Sequence, residues 1–427
     1  MDLNLLNERF KNCSCGKTHI CPIDYINIGK GAINSLPQAC ENYHKILMVS
    51  DNNTYSVCGK DAAEILGKKI ANHIVLQPNG DVVIPNEDKI AEIEEKLDSE
   101  TDFIIGVGSG VINDLCKHVS FKHNLDYGIV ATAPSMDGYV STGSALILNG
   151  MKVTLNANPP KIVIGDTDIL KDSPREMIQA GYGDIIGKYS CLNDWKLSTL
   201  INDEYFCEEI YNLTLSQAEK VKPLAKALLN RNEDAINALM EALVTVGVAM
   251  SYVGNSRPAS GSEHHLSHFF EITGILENKA YYPHGIDVMY SSAVTALIRE
   301  KIAVSHPTKY NFSRDKWISE IKRIYLTSAD EVISLQNKLG WYDTDEQDII
   351  EQKWDRITDI LKESPSFSEC VAMLSEIGLS YDEFKEFYGS EKINDAILFA
   401  KDLKDRYTVL WLNYKYFEGN KAEYHTL

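Results

Sequence analysis

Positive charge is scarce in this chain. Lys and Arg number 42 against 61 Asp and Glu, which leaves a formal net charge of -19. Affinity for a phosphate backbone comes largely from clustered Lys and Arg, so no nucleic-acid partner is expected and small molecules fit better. Long apolar runs are missing as well. No stretch approaches the roughly 18 apolar residues of a membrane span, and the opening MDLNLLNERF has neither a basic start nor the apolar run of a secretory signal. The expectation is a cytoplasmic protein with no membrane partner. A disulfide framework is lacking too, because the nine cysteines are odd in number and scattered, as in a protein of reduced thiols. One group of them stands close together: CSCGKTHIC (13–21) offers Cys13, Cys15, His19 and Cys21 as soft metal donors. Its spacing is not one of the usual paired zinc-knuckle patterns, and the segment reads as an N-terminal loop.

What the chain does have is length and two kinds of pattern. Its 427 residues favour two domains with ample core. From about 25 to 170, short apolar runs alternate with helical patterns, the signal for a mostly parallel sheet flanked by helices. The expected strands are KILMVS (45–50), HIVLQ (73–77), DFIIGVG (102–108), YGIVATA (127–133) and KIVIGD (161–166), and NEDKIAEIEEKL (86–97) has helical spacing. ALILNGMKVTL (145–155) reads as a hairpin turning at Asn149-Gly150. Past DSPREM (172–177) the strand signal fades and helical patterns take over, among them the apolar DAINALMEALVTVGVAMSYVG (234–254). The expected fold is α/β: a Rossmann-like nucleotide-binding domain over 1–174, then a helical metal- and substrate-binding domain over 175–427.

FIIGVGSGVINDLCK (103–117) sets a glycine-rich turn after a strand and before a helix, where free amides and the helix dipole stabilise an anion. Gly106, Gly108 and Gly110 do not follow the usual G-x-G-x-x-G spacing. Asp51 ends a strand, where a carboxylate accepts from a ribose or caps a turn. A second small-residue loop, TAPSMDGYVSTGS (132–144), follows another strand end. A metal is suggested by Asp184 in AGYGDIIGKYS, His264 or His265 in GSEHHLSHFF, and His284 in YYPHGIDV. On a helix His264 and His268 share a face, whereas His265 is turned about 100° away. One carboxylate with two imidazoles leaves an open position for a substrate oxygen. Lys188, one turn after Asp184, is placed to pair with it, to meet a substrate phosphate, or only to decorate the helix.

The motifs IGKGAINSLP (28–37), GVGSGVINDLCK (106–117), ATAPSMDGYVSTGSAL (131–146), AGYGDIIGKY (180–189), SRPASGSEHHLSHFFE (256–271) and PHGIDV (283–288) resemble the metal-dependent polyol dehydrogenase and dehydroquinate synthase-like superfamily. Within it they resemble the bacterial-type sn-glycerol-1-phosphate dehydrogenases. The resemblance spans about residues 25 to 290; 300–427 carry no usable motif. It implies Asp184, His264 and His284 as ligands of one zinc, nickel or iron ion, and His268, Asp137 and Asp184 toward the substrate, with Asp184 and His268 catalytic. It also implies NAD or NADP held by Gly110, Val111, Ile112, Asn113, Asp114, Thr132, Ala133, Pro134, Ser135 and Ser141, with Asp51 on the ribose side, and it makes His265 structural. The implied reaction reduces dihydroxyacetone phosphate to sn-glycerol 1-phosphate, in a homodimer. Asp51 leans toward NADH, softened by Lys45 or Lys60, and Lys188 or Arg257 are the cations expected to meet a phosphate. The competing readings are a dehydrogenase of unphosphorylated glycerol and a dehydroquinate synthase-like cyclase, whose pattern has glutamate as the first ligand.

Overall fold

A computed structural model describes residues 3–78, 82–148 and 151–418. It divides the chain into two compact units, one of residues 1–182 with 226–256 and one of residues 183–225 with 257–427. The division falls at 182/183 rather than at the expected 174/175, and 226–256 belong with the first unit. The reason is packing. Helix Glu233–Val253 lies against the strand Tyr25–Gly29, the turn Gly138–Val140 and the short helix Thr167–Leu170. It is the one described helix long and apolar enough to cross a membrane, and it is mostly buried as a core element. Asn232 caps its start by accepting from the Ala235 amide, and Gly254 ends it at φ 79°.

The first unit is built on a six-stranded, wholly parallel sheet. Its strands are β1 (Tyr25–Gly29), β2 (Ile46–Asp51), β3 (Ile70–Leu76), β4 (Phe103–Gly108), β5 (Asp126–Ala131) and, after a two-stranded antiparallel hairpin of β6 (Gly143–Leu148) and β7 (Met151–Asn156), β8 (Ile162–Asp166). The order is β1-β8-β5-β4-β2-β3. β4 and β8 are buried along their whole length, and so is β2 up to its last residue, which is why they read as continuous apolar runs rather than alternating ones. Successive residues point to opposite faces. Ile46 and Met48 enter one core with Leu36 and Phe103, Leu47 and Val49 the other with Ile93 and Leu115. β1 is a strand that the apolar runs do not reveal; YINIG alternates and joins the sheet only through β8. Asp166, at the end of β8, accepts from the Gly31 and Ile33 amides, and Gly31 takes φ 70°, which accounts for the IGKGA turn. The hairpin stands where expected, while its Asn149-Gly150 turn lies outside the described residues.

The regular elements of the second unit's described residues are all helices. Helices Lys188–Asn202, Ser262–Glu277 and His284–Ala303 pack on one another, and Phe367–Glu376 packs along the last of them. Residues beyond 300, silent as sequence, brace that helix. The Tyr388 hydroxyl donates to both carboxylate oxygens of Asp287 at 3.0 and 2.9 Å, one turn after His284.

Candidate active site

In the first unit the sheet order fixes where a ligand belongs. From β2 the chain runs outward to β3, then returns to β4 on the other side, so the switch point lies between the carboxyl ends of β2 and β4. Open α/β sheets bind ligands there. A cavity of about 410 Å³ is lined by Asp51–Thr54 after β2, by Ser109, Val111 and Ile112 after β4, and by Thr132 after β5. That volume lies within the range of small-molecule sites. Helix Gly110–His123 opens beside it; the Asn113 amide already bonds Ser109 O, leaving the amides of the first turn to an anion. Gly108 is required here, because a Cβ would come within 2.5 Å of Ile112.

Of the residues expected to hold a nucleotide, Asp51, Val111, Ile112 and Thr132 line this cavity. Asp51 does two jobs at once. Its Oδ1 accepts from the Thr54 amide at 2.8 Å while Thr54 Oγ1 accepts from the Asp51 amide at 3.0 Å, a capping box that orients the carboxylate. Others serve the loop beneath. Lys117, fully buried, donates to Gly138 O, Ser141 Oγ and Gly143 O. Asp114 accepts from the Ala145 amide and from Asn113 Nδ2, and burial pushes its carboxyl up, only partly offset by Lys117. Ala133 O accepts from Tyr139, and Pro134 O would meet a Cβ on Gly181 at 1.8 Å. Gly110 packs on Met136, Ser135 is half-buried, and Asp137 is buried just ahead of the turn Gly138–Val140. Sequence reading missed Asn52, Asn53 and Ser109 as lining residues; their position directly after strand ends was the available signal.

In the second unit Asp184, His264 and His284 offer ligand atoms that all lie within 4.8 Å of one another. The glycines around Asp184 explain the approach. A Cβ on Gly183 would come within 2.3 Å of Gly285 O, and one on Gly187 within 2.5 Å of Val288, so only glycine lets the carboxylate's helix meet the start of helix His284–Ala303. Lys188 resolves as the partner of Asp184, donating to Oδ1 at 2.8 Å and to Ala259 O at 3.0 Å, with both side chains fully buried. Burial raises the Asp184 carboxyl, but the Lys188 ammonium and the His264 and His284 rings outweigh it and hold the group well below the usual carboxylate range.

Glu263, unnoticed in the EHH run, is fully buried and accepts from His264 Nδ1 at 2.6 Å and from the Gly261 amide at 2.9 Å. With the proton on Nδ1, His264 turns Nε2 toward Asp184 Oδ1, 3.5 Å away. Carboxylate-to-histidine pairs of this kind fix the tautomer of metal-binding imidazoles. Burial pushes the His264 imidazole down, and the bonds to Asp184 and Glu263 outweigh it, so the ring titrates above its ordinary value. The carboxylates of Asp184 and Glu263 about the two imidazoles make a donor set that suits a divalent cation. Ser267 Oγ lies 3.2 Å from His284 Nδ1 and, at 3.2 Å, donates to His284 O. His268 stands beside the cluster, its ring 5.2 Å from that of His284, with Glu271 a third carboxylate, 3.9 Å from its Nδ1. His265 is fully buried and held neutral by burial and then by Arg406, and neither ring nitrogen has a hydrogen-bond partner among the described residues. The expectation for Arg257 is corrected: its guanidinium forks onto Glu204 at 2.8 and 2.6 Å and donates to Tyr407 O, so it is committed to the fold.

The charge on Glu263 has a measurable consequence. Glu263→Gln keeps an acceptor for His264 but removes the charge, and metal affinity is expected to fall about 10- to 100-fold. Competition against a chelator of known affinity, with circular dichroism to confirm folding, measures it; unchanged affinity would remove Glu263 from the cluster's function.

The family described as iron-containing alcohol dehydrogenase matches residues 27–174. The chain is 34% identical over 292 residues to the glycerol-1-phosphate dehydrogenase [NAD(P)+] of Halalkalibacterium halodurans, covering 67% of this chain and 73% of the relative. It is 31% identical to the enzyme of that name from Geobacillus thermodenitrificans, over 76% of this chain and 82% of the relative. Among solved structures, a probable glycerol dehydrogenase from Sinorhizobium meliloti shares the fold with a TM-score of 0.60 at 14% identity, over 91% of this chain and 92% of that one.

Proposed function

The chain belongs to the glycerol-1-phosphate dehydrogenase family, and from that premise we propose that it reduces dihydroxyacetone phosphate to sn-glycerol 1-phosphate, reversibly, with NADH or NADPH. The observation that carries the reading is the meeting of one carboxylate and two imidazoles at Asp184, His264 and His284. Borderline donors of this kind suit zinc, nickel or iron. Aspartate at the first position also separates the chain from the glutamate pattern of the cyclases.

A divalent ion held by these three residues supplies Lewis acidity toward a substrate oxygen. A nicotinamide nucleotide held at the cavity of Asp51, Val111, Ile112 and Thr132 would supply the hydride. The protein's own groups do the rest. Lys188 keeps Asp184 ionised, Glu263 keeps the His264 proton on Nδ1, and Ser267 sets the His284 ring. His268, one turn beyond His264 and partly exposed, supplies the proton that the reduced oxygen takes up. The residues proposed for the substrate are thus His268, Asp184 and Asp137. A cytoplasmic location and a homodimer are part of the proposal, and light scattering checks the second.

A second reading, reduction of an unphosphorylated ketone, gains from one observation: Lys188 and Arg257 are both tied to carboxylates. NADH oxidation by the metal-loaded protein, run with dihydroxyacetone phosphate, with dihydroxyacetone and with a chelator, separates the two. Chelator-sensitive turnover preferring the phosphate upholds the proposal; turnover on dihydroxyacetone alone replaces it.

Cofactor choice rests on Asp51. A carboxylate at the ribose repels a 2′-phosphate, and Lys45, a cation expected to soften this, is engaged with Glu100 at 3.3 Å. Asparagine is an equally good helix cap, so Asp51→Asn removes charge while keeping the turn. The ratio of kcat/KM for NADPH over NADH is expected to rise about tenfold, roughly 1.4 kcal/mol. An unmoved ratio would place Asp51 away from the ribose.

A further inference from the structure

The CSCGKTHIC segment is not an idle loop. Residues 13 to 16 form a tight turn in which the Gly16 amide donates to Cys13 O at 3.0 Å and Gly16 takes φ 81°, so that its backbone conformation and not crowding calls for glycine. That left-handed glycine reverses the chain, and the His19 amide then bonds back to Phe10 O at 3.3 Å. The reversal carries the His19 ring back onto the cysteines. His19 Nε2 lies 3.2 Å from Cys15 Sγ, and the ligand atoms of Cys13, Cys15 and His19 are all within 4.8 Å of one another. Two ligands of a tetrahedral zinc, at about 2.1 and 2.3 Å from the ion, stand roughly 3.5 Å apart. The separations here are of that size.

The surroundings are those of a ligand rather than a stray histidine. His19 is 1% exposed, and its Nδ1 lies 2.7 Å from Tyr252 O. A carbonyl only accepts, so the ring carries its proton on Nδ1 and turns the Nε2 lone pair to the sulfurs, the arrangement found behind metal-bound imidazoles. Tyr252 is itself fixed, its hydroxyl donating to Asn7 Oδ1 at 2.9 Å and its ring packed 5.3 Å from that of Phe10. Cys21 stands apart: its backbone is clamped to Asn7 through both N–H and C=O, and burial pushes its thiol up to about 11. This segment's share of the donor set is two sulfurs and one imidazole, where the Asp184 cluster has one oxygen and two imidazoles.

We propose that Cys13, Cys15 and His19 hold a second, structural metal ion of the zinc type, which pins the N-terminal segment to helix Glu233–Val253. The remaining tetrahedral position falls to a ligand outside this segment. Thiolate and imidazole select zinc, or cobalt used in its place, and because the folded turn is what brings the donors together, binding and local folding are coupled.

Cobalt(II) separates this site from the other one, since only sulfur ligation gives a thiolate-to-cobalt charge-transfer band in the near ultraviolet. The metal-stripped full-length protein is loaded with cobalt(II) and its spectrum recorded for wild type and for the C13S, C15S and C116S variants. The band is expected in wild type and in C116S, and it is expected to lose half its intensity or more in C13S and in C15S. A measurement on the wild type alone guards against misfolded variants: alkylation followed by peptide mass analysis is expected to find Cys13 and Cys15 protected in the zinc-loaded protein and at least tenfold more reactive after chelation. A cobalt(II) protein without the band, a band equally strong in C13S and C15S, or equal alkylation with and without chelator would each overturn the proposal.

Discussion

Replacing Asp184 with asparagine is expected to lower kcat/KM for the ketone by about 10³-fold or more, and to destabilise the fold as well. The first effect follows from removing the one anionic ligand among the proposed three. Charge stabilisation at a reacting oxygen contributes several kcal/mol, and about 4 kcal/mol corresponds to 10³ in rate. The second follows from Lys188, which is fully buried and donates to Asp184 at 2.8 Å. Breaking such a pair from one side strands a charge and costs about 3–5 kcal/mol. The two effects come apart in a double variant. Asp184→Asn with Lys188→Met removes the stranded ammonium, so urea unfolding should return most of the lost stability, while metal content and turnover stay low. A double variant that regained turnover would show that the single one failed by unfolding, and the proposed chemistry at Asp184 would be wrong.

Much of this site was legible because its chemistry needs residue types that are costly to place by accident. Three histidines in five positions, a glycine-flanked aspartate and a Pro-His-Gly turn pointed to the cluster that the second unit assembles. The parallel sheet was legible for a similar reason: strands covered on both faces leave continuous apolar runs, and four of the five expected runs agree with observed strands to within two residues at each end, the fifth, β3, beginning three residues early at Ile70. What escaped notice carries its meaning only in three dimensions. β1 alternates and gains its place by pairing with β8. Glu263 looks like one more acid in an acidic protein until burial and His264 give it a role. Arg257 looked like a cation able to meet a phosphate and proves to neutralise Glu204, while Lys188, for which pairing with Asp184 was one of three readings, takes that one. The return of residues 226–256 to the first unit was hidden for another reason, since an apolar helix reads the same whichever core it enters.

The largest expected loss of stability away from the metal cluster lies at Asp194, on helix Lys188–Asn202. Arg299 Nη2 donates to Asp194 Oδ1 at 3.0 Å, to Ser190 O at 3.1 Å and to Ser262 Oγ at 3.2 Å, and its Nε donates to Asn193 at 3.0 Å. Asp194 further accepts from the Ser262 amide at 2.7 Å and from the Val409 amide at 2.9 Å. Both side chains are buried. One carboxylate therefore satisfies a guanidinium and the first amide of the helix that bears Glu263, His264 and His268, which makes it the cap that Gly261 cannot provide. Asp194→Ala strands the arginine and both amides together, and the expected cost is about 3–5 kcal/mol, or a fall in Tm of roughly 10 °C for a unit of this size. Because the stranded charge dominates, Asp194→Leu with Arg299→Met should recover part of the loss in urea unfolding, as apolar replacements of buried ion pairs do. The amides at Ser262 and Val409 would still lack their acceptor, so recovery should stop short of wild type. A single variant within about 1 kcal/mol of wild type would mean that water can enter and take over the carboxylate's place, and that the start of the histidine helix does not depend on Asp194.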